Sequence, residues 1–255
     1  MRVTVCELPG DPDRLEEGWD GLVAHVTAEG SDLVILPEMP FSRWLAATKD
    51  VEPAEWDAAA AAHAAWVGRF GELGGAAIAS SSPVVRDGKR LNEAFVWDDG
   101  DYRIAHDKYY LPDEDFYWEA TWYERGDGSF DVIDAAGETA GFLVCSELWF
   151  PDRARAYGRA GASIIAAPRA TPWSSRERWL VAGRHVAISA GAFCLSSNRS
   201  GDDPSGLTWA GLGWVIDPEG VVLAETSADQ PYVTVDIEPA LASAARSTYP
   251  RYIPE

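Results

Sequence analysis

A thiol, a carboxylate and an ammonium each follow a short apolar run in this 255-residue sequence, and together they have the makings of acyl-transfer chemistry. Cys145 closes the run Gly141-Phe142-Leu143-Val144, and Pro151-Asp152 opens a predicted helix shortly after it. A thiol between a buried strand and a helix start lies near oriented backbone N–H groups, where a nucleophile is well placed. Such a nucleophile needs a base for its proton and a cation or N–H donor for the oxyanion that follows. Glu38 answers the first need: it follows Leu33-Val34-Ile35-Leu36 and sits between Pro37 and Pro40, which fix its backbone. A carboxylate among apolar side chains keeps its proton to higher pH, which suits proton exchange near neutrality. Lys108 answers the second. The chain has lysine only at Lys49, Lys89 and Lys108 and otherwise uses arginine, so a compact ammonium kept within the segment 104–112 favours a specific task. Taken alone, Glu38 also fits a surface turn and Lys108 a solvated lysine.

The elements that must position these groups alternate. Strand-like runs are predicted at 3–6, 33–36, 76–79, 94–97, 142–145, 163–167, 192–196, 213–216, 221–224 and 232–236. Helical stripes fall between several of them: Leu15, Trp19, Leu22 and Val26, then Trp56, Ala59, His63, Trp66, Phe70 and Leu73. A third helix is predicted over 175–190, capped by Ser174 or Ser175 with Glu177 in its first turn. Strand–helix alternation together with a hairpin through Asp217-Pro218-Glu219-Gly220 predicts one layered α/β domain, with two mixed sheets and helices outside. Strand ends of such folds converge on one crevice, where residues distant in sequence meet.

Composition excludes several classes. The formal charge of −20 disfavours nucleic acid and anionic membranes as partners, and reads as solubility, salt tolerance or an acidic partner-binding face. Three cysteines (Cys6, Cys145, Cys194) are too few and too odd for a disulfide framework, and the four histidines (His25, His63, His106, His185) lie singly, without zinc-site spacing. The N-terminal segment has no apolar stretch of signal length and no run is long enough for a membrane span, so a soluble, cytoplasmic protein is expected. Gly71-Glu72-Leu73-Gly74-Gly75 follows a helix rather than a strand, which is the wrong context for a phosphate loop. A cysteine peptidase would need a histidine base. Neither His106 nor His185 lies in such a motif, and His106 is expected to face away from Lys108 or to pack structurally.

Leu-Pro-Glu at 36–38, Lys-x-x-Leu-Pro at 108–112 and Cys-Ser-Glu-Leu-Trp-Phe-Pro-Asp at 145–152 resemble, in order and separation, the carbon–nitrogen hydrolase (nitrilase) superfamily. Arg155 followed by Gly161-Ala162 and Ile164-Ile165, the turn Asn198-Arg199-Ser200-Gly201 and the closing hairpin at 213–225 extend the resemblance over essentially the whole chain. The resemblance implies a four-layer α-β-β-α sandwich over residues 1–255 and a Glu38–Lys108–Cys145 triad, with no metal or organic cofactor. It implies that Cys145 attacks a carbonyl carbon, Glu38 serves as base and then acid, and Lys108 with the backbone N–H of Ser146 stabilises the tetrahedral intermediate. A second glutamate follows the lysine in similar sequences, and the aromatic–Glu spacing points to Glu119 ahead of Glu114 and Glu124.

Similarity to the carbamoyl-cleaving branch, and Ser146 where true nitrilases usually carry tryptophan, imply an amidase or N-carbamoyl amidase. A nitrilase, or a catalytically idle scaffold on the same fold, is the alternative. Tyr117 and Trp149 are expected to line the pocket, and Arg169 to grip a carboxylate-bearing substrate bidentately. A homodimer or higher homo-oligomer is implied, with the tail from about residue 240 to 255 as a docking arm. Cys6 and Cys194 are expected to be small buried hydrophobes.

Overall fold

The computed structural model describes residues 1–253. The central predicted strands are buried on both faces, which is why they read as apolar runs rather than alternations, whereas 221–224 and 232–236 are only partly buried. Leu33–Glu38 is the clearest case: Leu33 and Ile35 point into one core, Val34 and Leu36 into another. That alternation, with its period of two, is what divides the molecule into layers.

The first sheet has eight strands. At its centre, Arg2–Pro9 pairs in parallel with Leu33–Glu38, which pairs in parallel with Ala77–Arg86. Lys89–Asp98 and Asp101–Asp107 complete that edge as antiparallel neighbours. On its other side, Arg2–Pro9 is shared: Tyr232–Asp236 pairs antiparallel with residues 2–6, and Asn198–Asp202 pairs in parallel with residues 7–9. Thr208–Ala210 then pairs with Asn198–Asp202. The second sheet has six strands in the spatial order Val222–Glu225, Trp214–Ile216, Phe193–Ser196, Ile164–Ala166, Glu138–Phe142 and Ile133–Ala135.

Apolar residues of both sheets meet in a central core, from Val3, Val5, Ile35 and Val96 on one side to Phe142, Ile164, Leu195 and Val215 on the other. Outside the first sheet, Leu15–Glu29 buries Leu15, Trp19, Leu22 and Val26, and Pro53–Val67 buries Trp56, Ala59 and His63. Outside the second, Pro151–Arg159 and Arg176–Ala190 pack through Ala154, Tyr157, Val186 and Ala187. This is the α-β-β-α sandwich, with both sheets mixed.

Two local expectations are corrected. The stripe from Trp56 to Leu73 is not one helix: it breaks at Gly68, and Phe70–Leu73 forms a separate short turn ended by Gly74 in the left-handed region. Ser175 precedes the helix Arg176–Ala190 but its hydroxyl does not cap it, donating instead to the Pro172 carbonyl. The C-terminal segment, expected as a docking arm, packs on its own chain as far as residue 253. Ala240–Arg246 is helical, Arg246 donates to the Ala162 carbonyl at 2.8 Å, and Arg251 donates to those of Ile188 and Pro218. Through residue 253 the tail is fastened to its own chain, while residues 254 and 255 lie outside the described residues.

Candidate active site

Glu38 is the last residue of its strand, Lys108 follows Asp101–Asp107, and Cys145 lies three residues beyond Glu138–Phe142. The strand predicted to run to Cys145 ends at Phe142, and Cys145 instead opens the tight turn Cys145–Trp149. Its φ of 49° lies in the left-handed region, which costs a non-glycine residue about 1–3 kcal/mol and therefore needs firm support. That support includes the Cys145 N–H, which donates to the Pro168 carbonyl at 3.0 Å. Met39, directly after Glu38, is also left-handed, with φ 42°.

The three groups meet with a fourth. Lys108 Nζ donates to Glu38 Oε1 at 2.8 Å and to Glu119 Oε2 at 2.6 Å. Glu38 and Lys108 are 0% exposed, Glu119 1% and Cys145 4%. Burial alone would discharge the lysine, but Glu119 and Glu38 outweigh it and hold Lys108 firmly protonated. Burial raises the Glu119 carboxyl to about 7, against the pull of Lys108 and with the help of the like charge on Glu38. The Cys145 thiol is pushed well above its usual range, first by burial and then by Glu38, with Lys108 opposing. The resting sulfur is therefore a neutral thiol, and thiolate character arises when its proton is taken. Glu38 Oε2 is buried and without a hydrogen-bond partner.

Two supporting residues escape sequence reasoning. Asn92 Nδ2 donates to Glu38 Oε1 at 2.8 Å, and the Tyr123 hydroxyl donates to Glu119 Oε2. Asn92 leaves a weak signal, a carboxamide inside a buried strand. Tyr123 stands four residues after Glu119, one helical turn away on the same face.

The expected substrate contacts separate into two groups. The Tyr117 hydroxyl is buried without a partner, and its ring packs 6.1 Å from Trp44 and 6.5 Å from Trp209. Burial first, then Cys145, Glu119 and Glu38, keep it a neutral O–H donor. The Ser146 hydroxyl is committed to the Tyr110 carbonyl at 2.6 Å, which leaves its backbone N–H for any oxyanion role. Trp149 turns outward, 47% exposed, with its ring 5.4 Å from that of Trp179. It does not wall a buried pocket.

Arg169 is a clear correction. It is 0% exposed, donates from Nε to Ser196 Oγ at 2.7 Å, from Nη1 to Thr171 Oγ1 at 2.9 Å and from Nη2 to the Leu212 carbonyl, and lies 3.7 Å over the Trp214 ring. A guanidinium so committed has no fork to offer a carboxylate. Its backbone does serve the site, because the Arg169 carbonyl accepts the Glu38 N–H at 3.2 Å. Glu114 and Glu124 are exposed, as expected of loop charges. His106 pairs with Glu147. Cys6 and Cys194 are buried free thiols, and burial raises each to about 12.

Fold and site together define a four-layer sandwich with a carboxylate–ammonium–thiol centre at its strand ends. The chain belongs to the carbon-nitrogen hydrolase family, which matches residues 2–247. It is 30% identical over 242 residues to a glutamine-dependent NAD(+) synthetase of Rhodobacter capsulatus, covering 93% of this chain and 42% of that one. It is 28% identical over 226 residues to a 2-oxoglutaramate amidase of Bacillus subtilis (strain 168), covering 86% and 83% respectively. To an N-carbamoylputrescine amidase of Arabidopsis thaliana it is 29% identical over 140 residues, 49% of this chain and 46% of that one. The matched part is thus less than half the length of the first and third of these relatives. A crystal structure of a carbon-nitrogen hydrolase from Helicobacter pylori G27 shares the fold, with a TM-score of 0.86 at 22% identity over 98% of this chain and 94% of that one.

Proposed function

We propose that the protein hydrolyses the C–N bond of a small amide or N-carbamoyl compound through a thioester on Cys145. The observation that carries this reading is the placement of Lys108 Nζ between Glu38 and Glu119 while Glu38 Oε2 has no partner. Glu38 takes the thiol proton as Sγ attacks the carbonyl carbon. Lys108 and the Ser146 N–H meet the oxyanion, whose stabilisation by such donors is worth about 10²–10³-fold each. Glu38 returns the proton to the departing nitrogen, the C–N bond breaks, and ammonia or an amine leaves. A water then adds to the thioester while Glu38 accepts its proton, and collapse releases the acid and restores the thiol. Glu119 holds the ammonium on the side away from Glu38 and sets its direction. Ser146 beside the nucleophile favours amides over nitriles, and Arg169 is given no part in substrate choice.

Ammonia release should be followed over aliphatic amides, ω-amides, N-carbamoyl compounds and nitriles. Cys145→Ala is expected to lower turnover by about 10⁴-fold or more, and an intact-mass measurement after a substrate pulse should find the acyl group on Cys145. Turnover surviving in that variant, or an adduct elsewhere, would remove the mechanism; nitriles outpacing every amide would reverse the substrate class. We also place the protein in the cytoplasm, as its three buried free cysteines suit a reducing compartment. We further propose a homo-oligomer formed across the outer helices, where Val181 and Leu241 are exposed; a monomer by sedimentation would remove that part.

A further inference from the structure

Lys108 and Cys145 hang from different sheets, so something must hold one backbone against the other. A second buried charge pair stands at that junction. Glu147, two residues after Cys145, turns its carboxylate back and accepts the Val144 N–H at Oε2 (2.9 Å). The same carboxylate crosses to the first sheet, where Oε1 accepts the Tyr109 N–H at 2.8 Å and both oxygens face His106 Nε2 at 2.9 and 3.0 Å. It therefore grips the chain on both sides of Lys108 and directly before Cys145. Glu147 is 0% exposed and His106 4%.

The protonation of the pair follows from its partners. His106 Nδ1 lies 2.8 Å from the Ser129 carbonyl, which can only accept, and Nε2 faces a carboxylate already accepting two backbone N–H groups. A neutral imidazole has one N–H and cannot serve both. An imidazolium can, with Glu147 ionised. Burial opposes that charge, but Glu147, the Ser129 carbonyl and Asp107 together outweigh it and raise His106. Phe130 lies over the ring at 4.4 Å between centroids, and Arg153 stands on the Phe130 face.

We propose that His106 and Glu147 act as one ionic clasp that positions the Lys108 ammonium against Cys145. They are positioning residues: neither reaches the reacting atoms. The catalytic arm of the test rests on the hydrolase reading, whereas the chemical arm does not. In Glu147→Gln one carboxamide oxygen cannot replace two carboxylate oxygens, and its NH₂ must face a donor. A displacement of about 1 Å in a reacting group costs on the order of 10²-fold in rate. We expect kcat to fall about 10²-fold with KM changed less than about 3-fold, while unfolding stays cooperative.

Independently of any substrate, the pH profile of Cys145 alkylation by iodoacetamide should move upward by about one unit, because Lys108 no longer lowers the thiol as effectively. His106→Gln should lose about 10-fold in kcat. The double variant should be no worse than Glu147→Gln alone, since residues acting as a unit are not additive. Single losses that multiply in the double variant, or an unchanged kcat and alkylation profile in folded Glu147→Gln, would overturn the clasp. If Glu147→Gln does not fold, an unchanged kcat and alkylation profile in His106→Gln overturns it. If no amide is turned over by the wild type, the alkylation profiles decide alone: a shift upholds the clasp while the hydrolase reading falls.

Discussion

Two sets of buried charges in this molecule are built on opposite terms. Around Arg169 and Arg199 every guanidinium nitrogen has an acceptor. Arg199 donates to the carbonyls of Glu38, Ser42 and Met39, as Arg169 does to Ser196, Thr171 and Leu212. Around Lys108 three buried polar atoms have none: Glu38 Oε2, Asn92 Oδ1 and the Tyr117 hydroxyl. A buried polar atom left unpaired costs about 1–3 kcal/mol, and a fold that satisfies two buried arginines so fully has the means to satisfy these as well. On the proposed function, the paired charges would hold the shape of the crevice and the unpaired atoms would meet the substrate.

The widest test of that contrast is Lys108→Met. It strands two carboxylates in the interior and removes the cation expected at the oxyanion. We expect kcat/KM to fall by about 10³-fold and stability by about 3–5 kcal/mol, eased where a carboxylate takes up a proton. Ammonia release and denaturant unfolding measure the two effects. Activity retained within a factor of about ten would move Lys108 into the structural set with the arginines.

Arg169→Met probes the opposite side. The acceptors at Ser196, Thr171 and Leu212 lose a shared donor and the Trp214 ring loses its cation, so a stability loss of about 3 kcal/mol is expected. The ratio of kcat/KM between acidic and neutral amides should not change. A shift of about tenfold against the acidic amide would restore to Arg169 the carboxylate-gripping role that its saturation denies.

The residues of the centre were legible in the sequence for a physical reason. Strands buried on both faces read as apolar runs, so a polar residue where such a run stops stands out, as Glu38 does. Lys108 instead follows the half-exposed strand Asp101–Asp107 and stands out by the scarcity of lysine. Cys145 stood out as Glu38 does, although its strand ends earlier and the turn it opens is left-handed without a glycine to announce it. Glu119 came through resemblance, since nothing in its loop marks it above Glu114. Asn92, Tyr123 and the Glu147–His106 pair stayed hidden because each gains meaning from a partner on another strand or turn. The error at Arg169 has the same origin. The sequence places it after a strand but cannot say on which side of the chain its guanidinium is absorbed.

The smallest effect is the most discriminating. Tyr117→Phe removes a single oxygen that is buried, unpartnered and held as a neutral donor beside Cys145, Glu38 and Glu119. If that hydroxyl waits for the substrate, the free enzyme gains from its loss and the complex does not. We expect a stability gain of about 1 kcal/mol together with a fall of about tenfold in kcat/KM, so that the two measurements move in opposite directions. A hydroxyl that served packing alone would be lost without kinetic effect, and one satisfied by an ordered water would be lost at a cost to stability. Either result would place Tyr117 with the saturated groups and leave Glu38 Oε2 and Asn92 as the open positions of the centre.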